Sequence, residues 1–321
     1  MRKILPLAGL LACLMFAPGT GFAVAAEPRV VVTLKPVHSL VSQVMQGVGT
    51  PTLIVDGAAS PHTFTLKLSA ARAINDADVF IRISDSMEPF TRKLTEALPQ
   101  TVKVISLIDT LGMIVLPQRQ GDTFEKHEHH DAGHDGHDDH DEAEEKDGAK
   151  DGHIWLDPRN AKLIVTGIAK VLSERYPENS AAFASNAAAL NAKLDALDAE
   201  ISRQLAALQG KPFIIFHDAT QYFEARYGLM AAGSVTVTPD VQPSAKRLTA
   251  IRKKIAGLDA VCVFAEPGFQ PNLVAAVTEG TAARAGTLDP EGLTLPAGPD
   301  MYFDLMRAMA QNLKSCFDAP R

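Results

Sequence analysis

The chain has 321 residues, 46% hydrophobic and 21% charged, with 31 Lys and Arg against 38 Asp and Glu and a formal net charge of -7. That length is enough for two domains of ordinary size, and the composition is that of a soluble globular protein. The acidic excess is concentrated in one tract and the rest of the chain is close to neutral, which argues against a nucleic-acid partner, because neutralising phosphates needs a basic surface.

Residues 1–26 read as a signal peptide. Arg2 and Lys3 form the basic start, an apolar stretch follows, and Val24 and Ala26 occupy the small-residue positions before Glu27. The mature chain is therefore expected to leave the cytoplasm. Leu-Leu-Ala-Cys ending at Cys13 also resembles a lipoprotein signal, but the apolar run continues past Cys13 to Val24, which fits an ordinary secretory signal better. No other stretch approaches the roughly 20 apolar residues needed to span a bilayer.

From residue 30 onward short β-branched runs alternate with helical patterns. VVVTL (30–34) precedes a helix over 36–47, PTLIV (51–55) a helix over 69–75, and DVFIRI (78–83) a helix over 87–98, before the strand TVKVISL (101–107). Such alternation predicts βαβ units around a mainly parallel sheet. Between Gly121 and Gly152 the pattern stops. Thirteen acidic residues stand there against Lys126, Lys146 and Lys150, a local charge of -10, together with six of the ten histidines: His127, His129, His130, His134, His137 and His140. The remaining body is close to neutral. A tract with almost nothing apolar is expected to be disordered, and its imidazoles and carboxylates are expected to collect divalent cations weakly and in many geometries.

Order is expected again from His153. Residues 180–208, rich in Ala and Leu without Gly or Pro, predict one helix of roughly 40 Å, long enough to link two lobes. A second alternating series follows: PFIIF (212–216), a helix over 219–227, a strand over 230–237, a helix over 244–256, AVCVF (260–264), a helix over 271–281, ARAGTL (283–288) and a final helix over 300–317. The expected architecture is α/β: two lobes with mainly parallel sheets flanked by helices, joined by the long helix. The divisions are 27–177, 178–210 and 211–321. Ligands of open α/β sheets bind beyond the carboxyl ends of the strands, which here points to a cleft between the lobes.

Without Cys13, Cys262 and Cys316 are left as an even pair in an oxidising compartment, where a structural disulfide is the default reading. Four histidines lie outside the tract. His62 follows the second strand, His153 precedes Asp157-Pro158 at a helix entry, and His217 follows PFIIF, each at a junction that projects side chains into a cleft. Three neutral imidazoles with a fourth position for a carboxylate or water is a usual zinc arrangement. Asp289, in Gly-Thr-Leu-Asp-Pro after the last strand, is the candidate for that position, although Asp before Pro is also a common turn former. His38 is expected to be structural or to sit behind a ligand. Asp157 and Asp218 read as helix caps, the latter with Gln221 as its capping-box partner. There is no HExxH helix, no Gly-x-Ser-x-Gly elbow and no phosphate-cradling glycine loop, so enzymatic readings find little support.

These residues sit in segments that resemble the zinc-specific periplasmic solute-binding proteins of ABC transporters, within a metal-binding group that also includes manganese receptors. The markers are TLKPVHSLV (33–41), DGAASPH (56–62), ADVFIRISDSMEPF (77–90), HIWLDP (153–158), FHDATQYFEARYGL (216–229), VQPSAKRL (241–248), VFAEPGFQP (263–271) and GTLDPEG (286–292). The resemblance implies two lobes on a rigid linking helix and one Zn2+ held as transported ligand by His62, His153 and His217. The fourth ligand it implies is Asp289 or water. It also implies a Cys262–Cys316 bridge, a monomer, and delivery to a membrane permease and its ATPase. Manganese members carry a carboxylate at the position of His217, and some zinc members carry Glu where this chain has Pro61. A manganese receptor and a secreted zinc-dependent hydrolase are the alternatives. For the tract, the open roles are metal collector, sensor of zinc sufficiency and permease-docking element.

Overall fold

The structure, a computed structural model, describes residues 27–57, 59–110, 112–119, 124, 149–236, 242–258, 262–269 and 271–319. The expected signal peptide over residues 1–26, Cys13 and the six tract histidines lie outside the described residues.

The first half of the chain runs β1 (Val30–Val32), α1 (Lys35–Val44), β2 (Thr52–Leu53), α2 (Leu68–Asn75), β3 (Val79–Arg82), α3 (Arg92–Ala97), β4 (Lys103–Ser106) and α4 (Leu107–Thr110). Its strands form a parallel sheet in the order β2-β1-β3-β4. β1 and β3 are buried along their whole length, as expected for strands covered on both faces by crossover helices. Two long helices follow, α5 (Pro158–Arg175) and α6 (Ser180–Leu205). The second half then runs β5 (Pro212–Ile215), α7 (Gln221–Tyr227), β6 (Met230–Ser234), α8 (Ala245–Gly257), β7 (Cys262–Ala265), α9 (Pro271–Thr278), β8 (Arg284–Thr287) and α10 (Met301–Asp318). Its sheet is also parallel, in the order β6-β5-β7-β8. In both halves the second strand is outermost and the first and third are neighbours. The connections from those two inner strands leave in opposite directions and open a crevice at their carboxyl ends.

α6 is the predicted long helix. Phe183, Ala187, Leu190, Leu194, Leu197, Ile201 and Leu205 are buried at three- and four-residue spacing, forming one apolar seam that faces α5, α1 and α10. α5, of which the sequence revealed only the Asp157-Pro158 entry, buries Ile164, Val165, Ile168 and Leu172 against it. Asp157 caps α5 as expected, accepting from the Arg159 N–H at 2.8 Å. The final helix reaches back across the molecule: Ser39 of α1 donates to the Pro299 carbonyl at 2.7 Å and accepts from the Tyr302 N–H at 3.0 Å. One apolar core accordingly runs from the first sheet through these helices into the second half, and a smaller cluster around Ile214, Val263 and Ile255 fills the space under α8 and α9. The Cys262 and Cys316 sulfurs are bonded, which fixes the end of α10 to β7.

Two expectations need correction. Residues 149–152, ahead of His153, already belong to the folded chain: Pro117 and Lys150 form an antiparallel bridge, and Gln118 N–H donates to the Ala149 carbonyl at 2.6 Å. The two ends of the acidic tract are thus joined side by side. Asp218 does not cap α7, whose N-cap is Thr220; its carboxylate accepts instead from the guanidinium of Arg119, which also pairs with Glu224. Gln221 then stands at the first helical position, three residues after Asp218 but out of phase for a capping box.

Candidate metal centre

His62, His153 and His217 come from chain segments up to 155 residues apart and meet in the crevice between the sheets. His217 leaves the carboxyl end of β5 beside the crossover point of the second sheet. His62 lies in the loop after β2, and His153 immediately precedes a single 3-10 turn (Ile154–Leu156) at the entry to α5. The ring centroids are 5.8 Å apart for His62 and His153, 5.9 Å for His62 and His217, and 5.3 Å for His153 and His217. His153 and His217 are buried and His62 nearly so, at the back of a cavity of about 250 Å3 whose wall also includes Met87, Gln118, Lys150 and Asp218.

Two of the rings are fixed from behind. His153 Nδ1 is 2.7 Å from Asp151 Oδ1, which also accepts the His153 backbone N–H at 2.9 Å, and His217 Nδ1 is hydrogen-bonded to Glu266 Oε2. A carboxylate on Nδ1 sets the tautomer with the proton there and the lone pair on Nε2. The Nε2 atoms of His153 and His217 face each other at 3.4 Å. Two lone pairs cannot bond one another, but two nitrogens on a tetrahedral zinc, each about 2.0–2.1 Å from the ion, stand about 3.4 Å apart.

The fourth group in the cluster is Glu291. One nitrogen from each of the three imidazoles and one oxygen of Glu291 all lie within 4.8 Å of each other. Glu291 Oε1 is 3.7 Å from His62 Nε2 and accepts from the Ser60 hydroxyl at 3.4 Å. Asp289, the sequence-based candidate, is consumed by its own loop, where its oxygens accept from Leu293 N–H at 2.8 Å, Thr294 N–H at 2.9 Å and the Thr294 hydroxyl at 2.7 Å. The turn-forming tendency of Asp-Pro prevails, and the turn it fastens presents Glu291. Gly292 closes that turn at φ +67°, in the left-handed region, where a Cβ would stand 2.0 Å from the end of Met301. His38 is structural, its Nε2 2.9 Å from the Pro51 carbonyl.

Electrostatics prepare the site for a cation. Burial, and secondarily the charges His153 and His217 can carry, push His62 down to about 2, so its ring stays neutral. Burial pushes Glu291 and Glu266 well above the usual carboxylate range. Among the described residues, His62 Nε2, Glu291 Oε2, Glu266 Oε1 and Asp151 Oδ2 are buried without a hydrogen-bond partner. An unpartnered buried polar atom costs about 1–3 kcal/mol; His62 Nε2 and Glu291 Oε2 belong to two members of the four-residue cluster, where a cation would satisfy them, and Asp151 Oδ2 and Glu266 Oε1 belong to the carboxyls behind the rings. The sequence pointed to none of Asp151, Glu266 and Glu291 as a site residue. Glu266 and Glu291 stand inside the motifs VFAEPGFQP and GTLDPEG, while Asp151 was hidden among the charges of the tract.

Parallel-sheet halves joined through long helices, with a nitrogen-rich metal cluster in the crevice, define the metal-binding class of solute receptors. The family model of ZnuA, zinc-uptake complex component A, periplasmic, matches residues 30–316, and the chain belongs to that family. It is 48% identical over 323 residues to the high-affinity zinc uptake system protein ZnuA of Brucella abortus (strain 2308), covering 95% of this chain and 97% of that protein. To the protein of the same name from Paracoccus denitrificans it is 39% identical over 310 residues, covering 92% and 93%. Among solved structures, a ZnuA crystal structure superposes with a TM-score of 0.72 at 24% identity over 89% of this chain and 97% of that one, a likeness of fold. The Zn(II)-bound ZnuA-like domain of Streptococcus pneumoniae AdcA superposes with a TM-score of 0.67 at 25% identity, covering 90% and 98%.

Proposed function

We propose that this chain is a high-affinity zinc receptor that captures Zn2+ in the periplasm as cargo and hands it to a membrane permease driven by an ATPase. His62, His153, His217 and Glu291 are its ligands. The observation that carries the reading is the 3.4 Å separation of the two facing Nε2 atoms, each ring backed by a carboxylate. Such rings need no reorganisation to accept the ion, and three imidazoles with one carboxylate favour Zn2+ over Mn2+, whose preferred donors are oxygens. Asp151 and Glu266 offset the cation's charge without touching it. Four protein ligands leave no open position for a substrate, which favours a receptor over a hydrolase. The tract histidines His127, His129, His130, His134, His137 and His140 act as a weak accessory store. The mature chain begins at Glu27 and works as a monomer, with residues 178–210 linking a first lobe over 27–177 to a second over 211–321.

The test is competition calorimetry on the mature protein. One tight zinc site is expected, lost at least 100-fold in His217→Ala, with Mn2+ displacing Zn2+ poorly. Equal affinity for Mn2+ would assign a manganese receptor instead, and turnover of ester substrates abolished by His217→Ala would make it an enzyme.

A further inference from the structure

Lys35 is a lysine in an unusual place. It is 5% exposed at the start of α1, and all three of its ammonium donors go to main-chain oxygens of the second half: Gly292 at 3.2 Å, Leu293 at 3.1 Å and Leu295 at 3.1 Å. Those carbonyls belong to the loop that carries Glu291. On the other side of Glu291, the Pro290 carbonyl accepts from Trp155 Nε1 at 2.9 Å. Two residues of the first half therefore grip the backbone immediately before and after a side chain of the second half. Within the loop, Asp289 ties residues 293 and 294 back onto itself, so that it moves as one piece. Among the described residues, the Glu291 carboxylate accepts one long hydrogen bond, from the Ser60 hydroxyl at 3.4 Å, lies 3.7 Å from His62 Nε2, and has one oxygen without a hydrogen-bond partner. Its location is set by its backbone.

We propose that Lys35 is a positioning residue for the zinc site: by holding the Gly292, Leu293 and Leu295 carbonyls it fixes the Glu291 carboxylate beside His62 and so decides whether the three imidazoles gain an anionic fourth ligand. The inference rests on the zinc-receptor reading and adds a first-half residue, not itself a ligand, that sets the coordination sphere. Its substitution should act only through Glu291.

The experiment is a double-mutant cycle on the mature protein with Lys35→Met, Glu291→Gln and the combination. Zinc affinity is read by competition titration and the coordination sphere by the visible spectrum of the Co2+-loaded protein. Lys35→Met is expected to weaken zinc about 10-fold or more, the usual effect of losing a partner that orients a ligand, to shift the Co2+ bands as Glu291→Gln does, and to change nothing further in the Glu291→Gln background. Unchanged affinity and spectrum, or the same factor in both backgrounds, would overturn it. Circular dichroism and melting of the zinc-free forms accompany each variant. If Lys35→Met does not fold, Lys35→Gln, which keeps an N–H donor, is read by the same criteria, and failure of both to fold would make Lys35 a folding residue and overturn the inference. Absence of tight zinc binding in the unmutated protein would instead defeat the receptor reading itself.

Discussion

Glu88 has no exposed surface, and its carboxyl accepts from the N–H groups of Ile83 and Ser84 and from the Thr33 hydroxyl, tying the end of β3 to β1. Burial pushes it up to about 7. A group whose folded value is raised contributes stability that is complete below its unfolded value of about 4.5 and is lost as pH rises through 7. Glu88→Gln should therefore flatten the pH dependence. From pH 5 to 8 in urea unfolding of the zinc-free protein, the unmutated chain should lose on the order of 3 kcal/mol relative to the variant; parallel pH slopes would contradict this. At the candidate metal cluster, Asp151→Asn and Glu266→Gln each leave the proposed ligand set intact but weaken the hold on a ring. Zinc affinity should fall about 10- to 100-fold in each, measured by competition titration, because a freely turning imidazole must be ordered by the ion.

Elements matter here chiefly as carriers of the proposed ligands from distant parts of the chain. α6 is the spine against which α1, α5 and α10 pack, and Leu194 and Ile201 are fully buried in its seam. Ile201→Ala should cost about 2–5 kcal/mol of stability, since the rigid helices around it can only partly close the cavity, while zinc affinity per folded molecule changes little. The bridge between Cys262 and Cys316 closes a loop with a sequence separation of 54 and holds α10 on β7. On the chain-entropy account its removal by Cys262→Ser with Cys316→Ser should cost roughly 4 kcal/mol in thermal or urea unfolding; a loss under 1 kcal/mol would mean that the packing of α10 suffices by itself.

For the whole molecule the question is the division of labour between the cleft and the acidic tract. The tract's ends meet at Pro117 and Lys150, and Gln118, Lys150 and Asp151 line the cavity that holds the three histidines. A deletion that respects the structure must spare Asp151, which orients His153, so residues 121–148 are the ones to replace by a short Gly-Ser turn. Calorimetry of that variant should show the weak sites gone and one tight site kept, whereas His62→Ala should do the opposite. Loss of tight binding on deletion would place the main site in the tract.

The α/β alternation, the long helix and the strand-end histidines were legible because they are set by local periodicity and by the motifs that carry each junction. His62, His153 and His217 could be singled out from the sequence because each stands beside a strand end or helix entry with its own punctuation. Glu291 could not be separated from Asp289 in the same way. Both are acidic residues in one turn, and which oxygen faces the cluster depends on Asp289 being consumed by the N–H groups of Leu293 and Thr294 and on Lys35 and Trp155 gripping the loop from the other half of the chain. The same holds for Asp151 and Glu266, which matter only because the fold sets them behind imidazoles. Sequence by itself determined the family, the fold class and the three histidines that the fold brings into one cluster. Tertiary structure decided the carboxylates, because a carboxylate's role follows from which donors bury with it, and those come from elsewhere in the chain.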